Sequence, residues 1–454
     1  MDILDTIQIT TLGKINPSMT GGGWRAACWM ALRRTATLLW ATFLVAGLAG
    51  PLPDLSAGKR KGRASPAVPL WQVDLRPAGY SIQSQTREAM THFSFAPVCF
   101  CGDRALIASF VAHQAPGNLQ SRRSPDSASP LQLNAIVLEA ASGKQRATLR
   151  WGVEHPYGGI VCTSGETFVA ATLDRLRLYT IGLAEIEELR IPPASKPGWM
   201  PWALYSSPDG RSLLLAYYEP RFSPSNAPTR RERALVTTDE DYQWIDSRTL
   251  RPLCTWTEGI LQYFSISGTK IARIEHRLIS WYFRDYVSLR TMNGPWVRTA
   301  ETQYYGEPQF VSNDVLALVL WNQIAFVRTD GTALFKQDLD DDDWLLGPHT
   351  GRMISPSANG QRVAVPIWVR KGYNDFLDVS GHLELSRIMV FDLPRGEWVY
   401  TLDTKKRKLR TLSGLALSPD GSRMAVALDG VVEVYQLPAS EAPPGTATAA
   451  PTPF

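Results

Sequence analysis

The sequence predicts an all-β chain made of a repeated antiparallel unit, and three observations predict it. Tight turns of the form Ser-Pro-Asp-Gly occur at Ser207-Pro208-Asp209-Gly210 and Ser418-Pro419-Asp420-Gly421, each followed by a short apolar run. Pro presets φ at the second turn position, and Gly suits the fourth. The runs after these turns, LLLAYY at 213–218 and MAVAL at 424–428, are apolar on both faces, where an open antiparallel sheet would alternate. Strands held between two neighbouring sheets would be covered on both sides. The third observation concerns the ends. The last unit lacks a fourth strand, and an unpaired strand-like run, 70–75, precedes the first unit. Together these predict a seven-bladed β-propeller of four-stranded antiparallel blades, closed by pairing 71–75 with 431–437.

The elements follow in order. Residues 1–29 read as a disordered extension, in which Met19, like Met30 just beyond it, is a possible start. Residues 30–50 read as a signal peptide or a membrane anchor: Arg33-Arg34 precede an uncharged apolar run, 35–50, with small residues Gly47 and Ala49 at cleavage spacing. That run is short for a spanning helix, which needs about 20 residues. Residues 51–68 are a basic Pro/Gly linker, 69–437 the propeller, and 438–454 a disordered Pro/Ala/Thr tail. The expected place is the periplasm or the exterior, with anchoring through 35–50 as the alternative.

Within 69–437 the first tight turn of each unit is anchored at Gly102, Gly165, Gly210, Gly268, Asn313, Gly360 and Gly421. The shorter gaps match a blade of roughly 40–50 residues. The longer ones hold insertions at 114–130, 219–233 and 371–383. Third and fourth strands recur as hairpins, as at Val390-Phe391-Asp392 through Arg395-Gly396 to Val399-Tyr400. Asp429-Gly430 is a two-residue hairpin signal, because both central residues of a type I′ turn need φ > 0.

With Leu417-Ser418-Pro419-Asp420-Gly421, Ser207-Pro208-Asp209-Gly210, and the strand endings Phe391-Asp392 and Ile245-Asp246 in view, the chain resembles bacterial WD-repeat-like β-propellers. It is similar also to the propeller of the Tol-system periplasmic protein. Such families are mostly binding platforms, so the resemblance implies a protein or peptide partner. No Gly-His pair precedes the blades and no Trp-Asp pair ends a third strand, so the buried polar network of true WD-repeats is not implied.

Composition narrows function further. A net charge of +4 over 454 residues, with much of the basic excess in 59–63, gives nucleic-acid binding no support. Of 5 cysteines, Cys28 lies in the extension and is expected to leave with the signal segment, Cys99 and Cys101 stand two apart, and Cys162 and Cys254 stand singly. No zinc spacing or disulfide framework is written there, and ordinary buried thiols are expected. The acidic run Asp338, Asp340, Asp341, Asp342, Asp343 begins with calcium-loop spacing. It then fails at the sixth and twelfth positions, leaving at most a weak Ca²⁺ site. No nucleophile elbow, zinc-protease helix or phosphate loop is present.

Loops leading into innermost strands gather His92, His155, Tyr157, Trp199, Trp202, Tyr305, Glu307, His349, Arg352 and Arg410 toward one mouth of the central channel. Polar groups among aromatics suit a small-molecule or peptide site. The expected function is an exported, monomeric, non-enzymatic binding platform without a cofactor. The alternative is a metal-assisted hydrolase or lyase using His92, His155, His349 and Glu307.

Overall fold

The computed structural model describes residues 68–80, 98–113, 131–153, 159–172, 174–191, 200–218, 239–259, 264–279, 282–302, 308–320, 323–339, 343–344, 354–371, 382–404 and 412–439. The chain divides into two units, Met1–Gly58 and Lys59–Phe454, and every described residue belongs to the second. Among the described residues no helix is long and apolar enough to cross a membrane.

The described residues open with β1 (Trp71–Asp74) and a single 3₁₀ turn, Arg76–Ala78. Blade I is β2 (Val98–Cys101), β3 (Ala105–His113), β4 (Leu131–Glu139) and β5 (Gln145–Val153). Blade II is β6 (Gly159–Cys162), β7 (Thr167–Ala171), β8 (Arg175–Thr180) and β9 (Glu185–Arg190). Blade III is β10 (Met200–Ser206), β11 (Ser212–Tyr218), β12 (Asp239–Asp246) and β13 (Pro252–Gly259). Blade IV is β14 (Phe264–Ile266), β15 (Lys270–Ile279), β16 (Tyr282–Thr291) and β17 (Val297–Thr302). Blade V is β18 (Pro308–Phe310), β19 (Val315–Leu320), β20 (Gln323–Arg328) and β21 (Ala333–Asp338).

Blade VI departs from the pattern. Two short segments, β22 (Asp343–Trp344) and β23 (Ser355–Pro356), share the innermost position along β24 (Arg362–Lys371), followed by β25 (His382–Asp392) and β26 (Glu397–Asp403). β24 and β25 also run into the expected insertion 371–383 from both sides, since their pairing continues to Lys371↔His382. Blade VII is β27 (Leu412–Leu417), β28 (Arg423–Leu428) and β29 (Val431–Gln436), with β1 as its outer strand. Seven antiparallel blades of four strands result, and β1, the first strand among the described residues, closes the last blade.

Closure is antiparallel and in full register, from Trp71↔Val434 to Asp74↔Val431. Backbone bonds Leu70 N–H to Val434 O (2.7 Å) and Leu75 N–H to Gly430 O (2.8 Å) extend it at each end. The Asp429-Gly430 hairpin has φ of 47° and 83°, as a type I′ turn requires.

The doubly apolar second strands explain where the core lies. The described residues form seven apolar clusters, one in each cleft between neighbouring blades. Alternate side chains of one strand enter opposite clefts, as the period of two demands. Leu213, Leu215 and Tyr217 face blade II, while Leu214 and Ala216 face blade IV. Met424, Val426 and Leu428 face blade VI, while Ala425 and Ala427 face blade I. Each fully buried Leu or Val contributes roughly 1.5–3 kcal/mol.

One irregularity recurs. The pairing of third with fourth strand slips by a residue in each of blades I–VI: at Val137/Leu138, Leu178/Tyr179, Trp244/Ile245, Val287/Ser288, Phe326/Val327 and Val390/Phe391. Such bulges increase local twist. The β1–β29 pair alone has none.

A candidate binding cavity at the hub

The turn between first and second strands is the repeated local device. In Ser207-Pro208-Asp209-Gly210 the Ser207 hydroxyl donates to Asp209 Oδ1 (2.7 Å) and accepts from the Ser212 N–H (3.0 Å). Ser357 does the same with Asn359 Oδ1 (2.7 Å) and the Arg362 N–H (2.9 Å). Ser418 does so with Asp420 Oδ1 (2.6 Å) and the Arg423 N–H (2.9 Å). All three serines are buried. The closing glycines Gly210, Gly360 and Gly421 have φ of 66°, 67° and 72°, a region that costs glycine nothing. At Gly210 a Cβ would also lie 2.6 Å from the Ser164 amide nitrogen in the preceding blade. The motif is thus a hydrogen-bonded turn whose side chains are spent on its own shape. Asp420 shows the balance: partial burial raises its pKa, but the bonds from Ser418 and the Ser422 N–H outweigh that and hold it below the usual carboxylate range.

The turns are fastened to one another. The Ser164 N–H donates to Gly210 O (2.9 Å), and the Gly268 N–H to Asn313 Oδ1 (2.9 Å). The Asn313 amide reaches Asp209 Oδ2 (3.3 Å), and the Asn359 N–H reaches Pro419 O (3.1 Å). The first residue of several second strands is a cation that grips the following blade. Lys270 Nζ meets Asp314 (2.8 Å), Arg362 Nη1 donates to Gly421 O (2.9 Å), and Arg423 donates to Ala140 O and Asp103 O (3.0 Å each).

Innermost strands of adjacent blades are not sheet neighbours, so their backbone groups need other partners. Side chains supply them. The Phe310 N–H donates to Ser265 Oγ (2.8 Å), Gln309 Nε2 to Ile354 O (2.8 Å), and the Leu417 N–H to Ser355 Oγ (3.0 Å). Between blades I and II the link is sulfur. Cys162 faces Cys99 and Cys101 across Cα separations of 6.0 and 5.4 Å, both within bridging range. This corrects the expectation that Cys162 stands singly and that no disulfide is to be formed; Cys254 is free. The signal was available: Cys99 and Cys162 are 63 residues apart, the separation of the anchors Gly102 and Gly165. Equivalent positions in consecutive blades lie side by side.

These strands enclose a cavity of about 660 Å³ at the hub, lined from every blade and reaching the turns at Gly102, Gly165, Gly210, Ala358 and Pro419. Apolar Phe100, Ile160, Ile266 and Phe310 alternate with Thr163, Ser206, Ser265 and Gln309 on its wall. Asp209, Arg211 and Arg248 stand at the rim, where Arg248 Nε donates to Ser164 Oγ (3.2 Å).

His92, His155, Tyr157, Trp199, Tyr305, Glu307, His349, Arg352 and Arg410 lie outside the described residues. Trp202 sits on β10 where its pairing with β11 skips from Pro201 to Ala203. In the acidic run, Asp338 ends β21 and accepts from Gln323 Nε2, and Asp343 begins β22. Asp340, Asp341 and Asp342 lie outside the described residues. Among the described residues, the cluster of metal-ligating side chains is Cys99, Cys101 and Cys162.

No protein-family model matches the sequence, and no curated protein matches it. Solved structures similar in fold include uncomplexed acylaminoacyl peptidase of Pyrococcus horikoshii, at 10% identity and TM-score 0.47, over 77% of this chain and 52% of that one. The β-propeller domain of the trilobed protease from Pyrococcus furiosus matches at 9% identity and TM-score 0.43, over 73% and 88%. Oligogalacturonate lyase in complex with manganese matches at 12% identity and TM-score 0.41, over 68% and 86%.

Proposed function

We propose that the chain is an exported, non-enzymatic binding platform whose hub cavity receives a loop or peptide of a protein partner. The observation that carries this reading is the cavity itself. It is concave, mixed in polarity and ringed by turns tied together by hydrogen bonds. A rim held in place before binding loses little conformational entropy on contact, which favours recognition of an extended or looped segment. The resemblance of the Ser-Pro-Asp-Gly units to WD-repeat-like and Tol-system periplasmic propellers supports the same class of function. The apolar run after Arg33-Arg34 supports export.

The test is site-specific photo-crosslinking in the native host. A crosslinker replacing exposed Arg211 at the rim should capture one discrete partner. The same crosslinker at exposed Glu187, on the outer strand β9, should not. Equal capture from both positions, or none from Arg211, sinks the hub reading.

A further inference from the structure

The three cysteines of blades I and II exceed what a staple needs. Cys99 and Cys101 are two apart on β2, so they share a face of the strand, and Cys162 comes from β6 beside it. All three sulfurs lie within 4.8 Å of one another. Cys101 is fully buried, with Sγ 3.4 Å from Thr167 O; Cys99 and Cys162 are half-buried on the cavity wall. A disulfide uses two sulfurs, and Cys162 can bond only one of the two partners in range. The third thiol then stands against the bridge, where thiolate attack exchanges one disulfide for the other with no net redox change. Nor does the wall require sulfur, since Ser265 and Ser355 lace the blades elsewhere with hydroxyls.

We propose that Cys99, Cys101 and Cys162, in the thiol state, form a three-sulfur site for one soft cation of the chemistry of Cu(I). Thiolate donors select soft ions. A structural zinc site takes four protein ligands. Among the described residues no fourth His, Cys, Asp or Glu ligand atom joins this cluster, so a three-coordinate ion suits it best. The cation enters from the hub cavity, past Cys99 and Cys162, and Cys101 closes the site from beneath. The site stands on the sulfur geometry alone and is independent of what the rim binds.

The experiment uses the purified full-length chain, reduced and desalted under anaerobic conditions, and titrated with Cu(I) against a chromophoric Cu(I) chelator. One equivalent should be held by the native chain and by Cys254→Ser. Cys162→Ser should weaken that binding at least tenfold. X-ray absorption at the copper edge of the native complex should count three sulfur neighbours, which keeps the test valid if Cys162→Ser does not fold. Cys99→Ser, altering a wall position, should leave two. A native chain that binds no better than Cys162→Ser, or a count of two or fewer sulfurs in the native complex, overturns the proposal. So does a Cys162 disulfide that withstands reductant in the folded chain, since it would then be a staple.

Discussion

Ser418 concentrates the chemistry of this fold in one hydroxyl. It is fully buried, donates to Asp420 and accepts the Arg423 amide, so its removal leaves the amide without its partner. An unsatisfied buried donor costs about 1–3 kcal/mol. Ser418→Ala should lower the urea midpoint accordingly, and Ser418→Thr should restore less than the native value, because it adds a methyl at a fully buried position. The same turn sets an acid response. Asp420 titrates below its unfolded value of 3.8, so it contributes stability above that pH and loses it as pH falls through the depressed folded value. Acid titration of stability for Asp420→Ala should be shallower below about pH 4 than for the native chain. These roles were legible in part. Ser, Pro, Asp and Gly in sequence announce a turn, but the reach of Arg423 to Ala140 depends on a neighbour 283 residues away, which no local pattern encodes.

At the scale of the element, the second strand of blade VI carries a buried ion pair. Arg362 and Asp392 pair at 3.7 Å with side chains 4% and 1% exposed, and Arg362 also ties blade VI to the Gly421 turn. Removing one member strands a charge, which costs about 3–5 kcal/mol, whereas a well-packed apolar pair is often neutral. Asp392→Ala should therefore be markedly destabilised in denaturant, and Arg362→Met with Asp392→Leu should recover most of that loss. The strands themselves were readable because their period is simple: apolar on both faces when sandwiched, polar outside. The outer strand β9 shows the opposite extreme. It is exposed along most of its length, and Glu188 pairs with Arg175 and Arg177 across the sheet edge, charges that discourage edge association. The bulges between third and fourth strands of blades I–VI, and the division of the innermost strand of blade VI, were not readable. A one-residue slip leaves composition and period almost unchanged.

The whole molecule is held by its seam. Trp71 packs over the Gly143 turn, where a Cβ would come within 2.5 Å of the indole, and its Nε1–H donates to Ala140 O (3.1 Å). The closing strand thus binds blade I as well as blade VII. Deleting residues 68–75 should expose β29 along its full edge and increase self-association, measured by light scattering during refolding. Ring closure was legible because one strand was missing at one end and one was spare at the other. The hub site was not, since its wall draws a few residues from every repeat and no stretch of sequence contains it. The seam also imposes an order in time. Synthesis delivers Trp71 long before Val434, so the strand that closes the ring is obliged to wait for its partner. Loop-closure entropy rises only slowly with separation, by about 0.6 kcal/mol per doubling, so distance is not the obstacle. Delay is: until residues 431–434 have been made, the chain has no way to seal itself, and a nascent product cut short before them is born open.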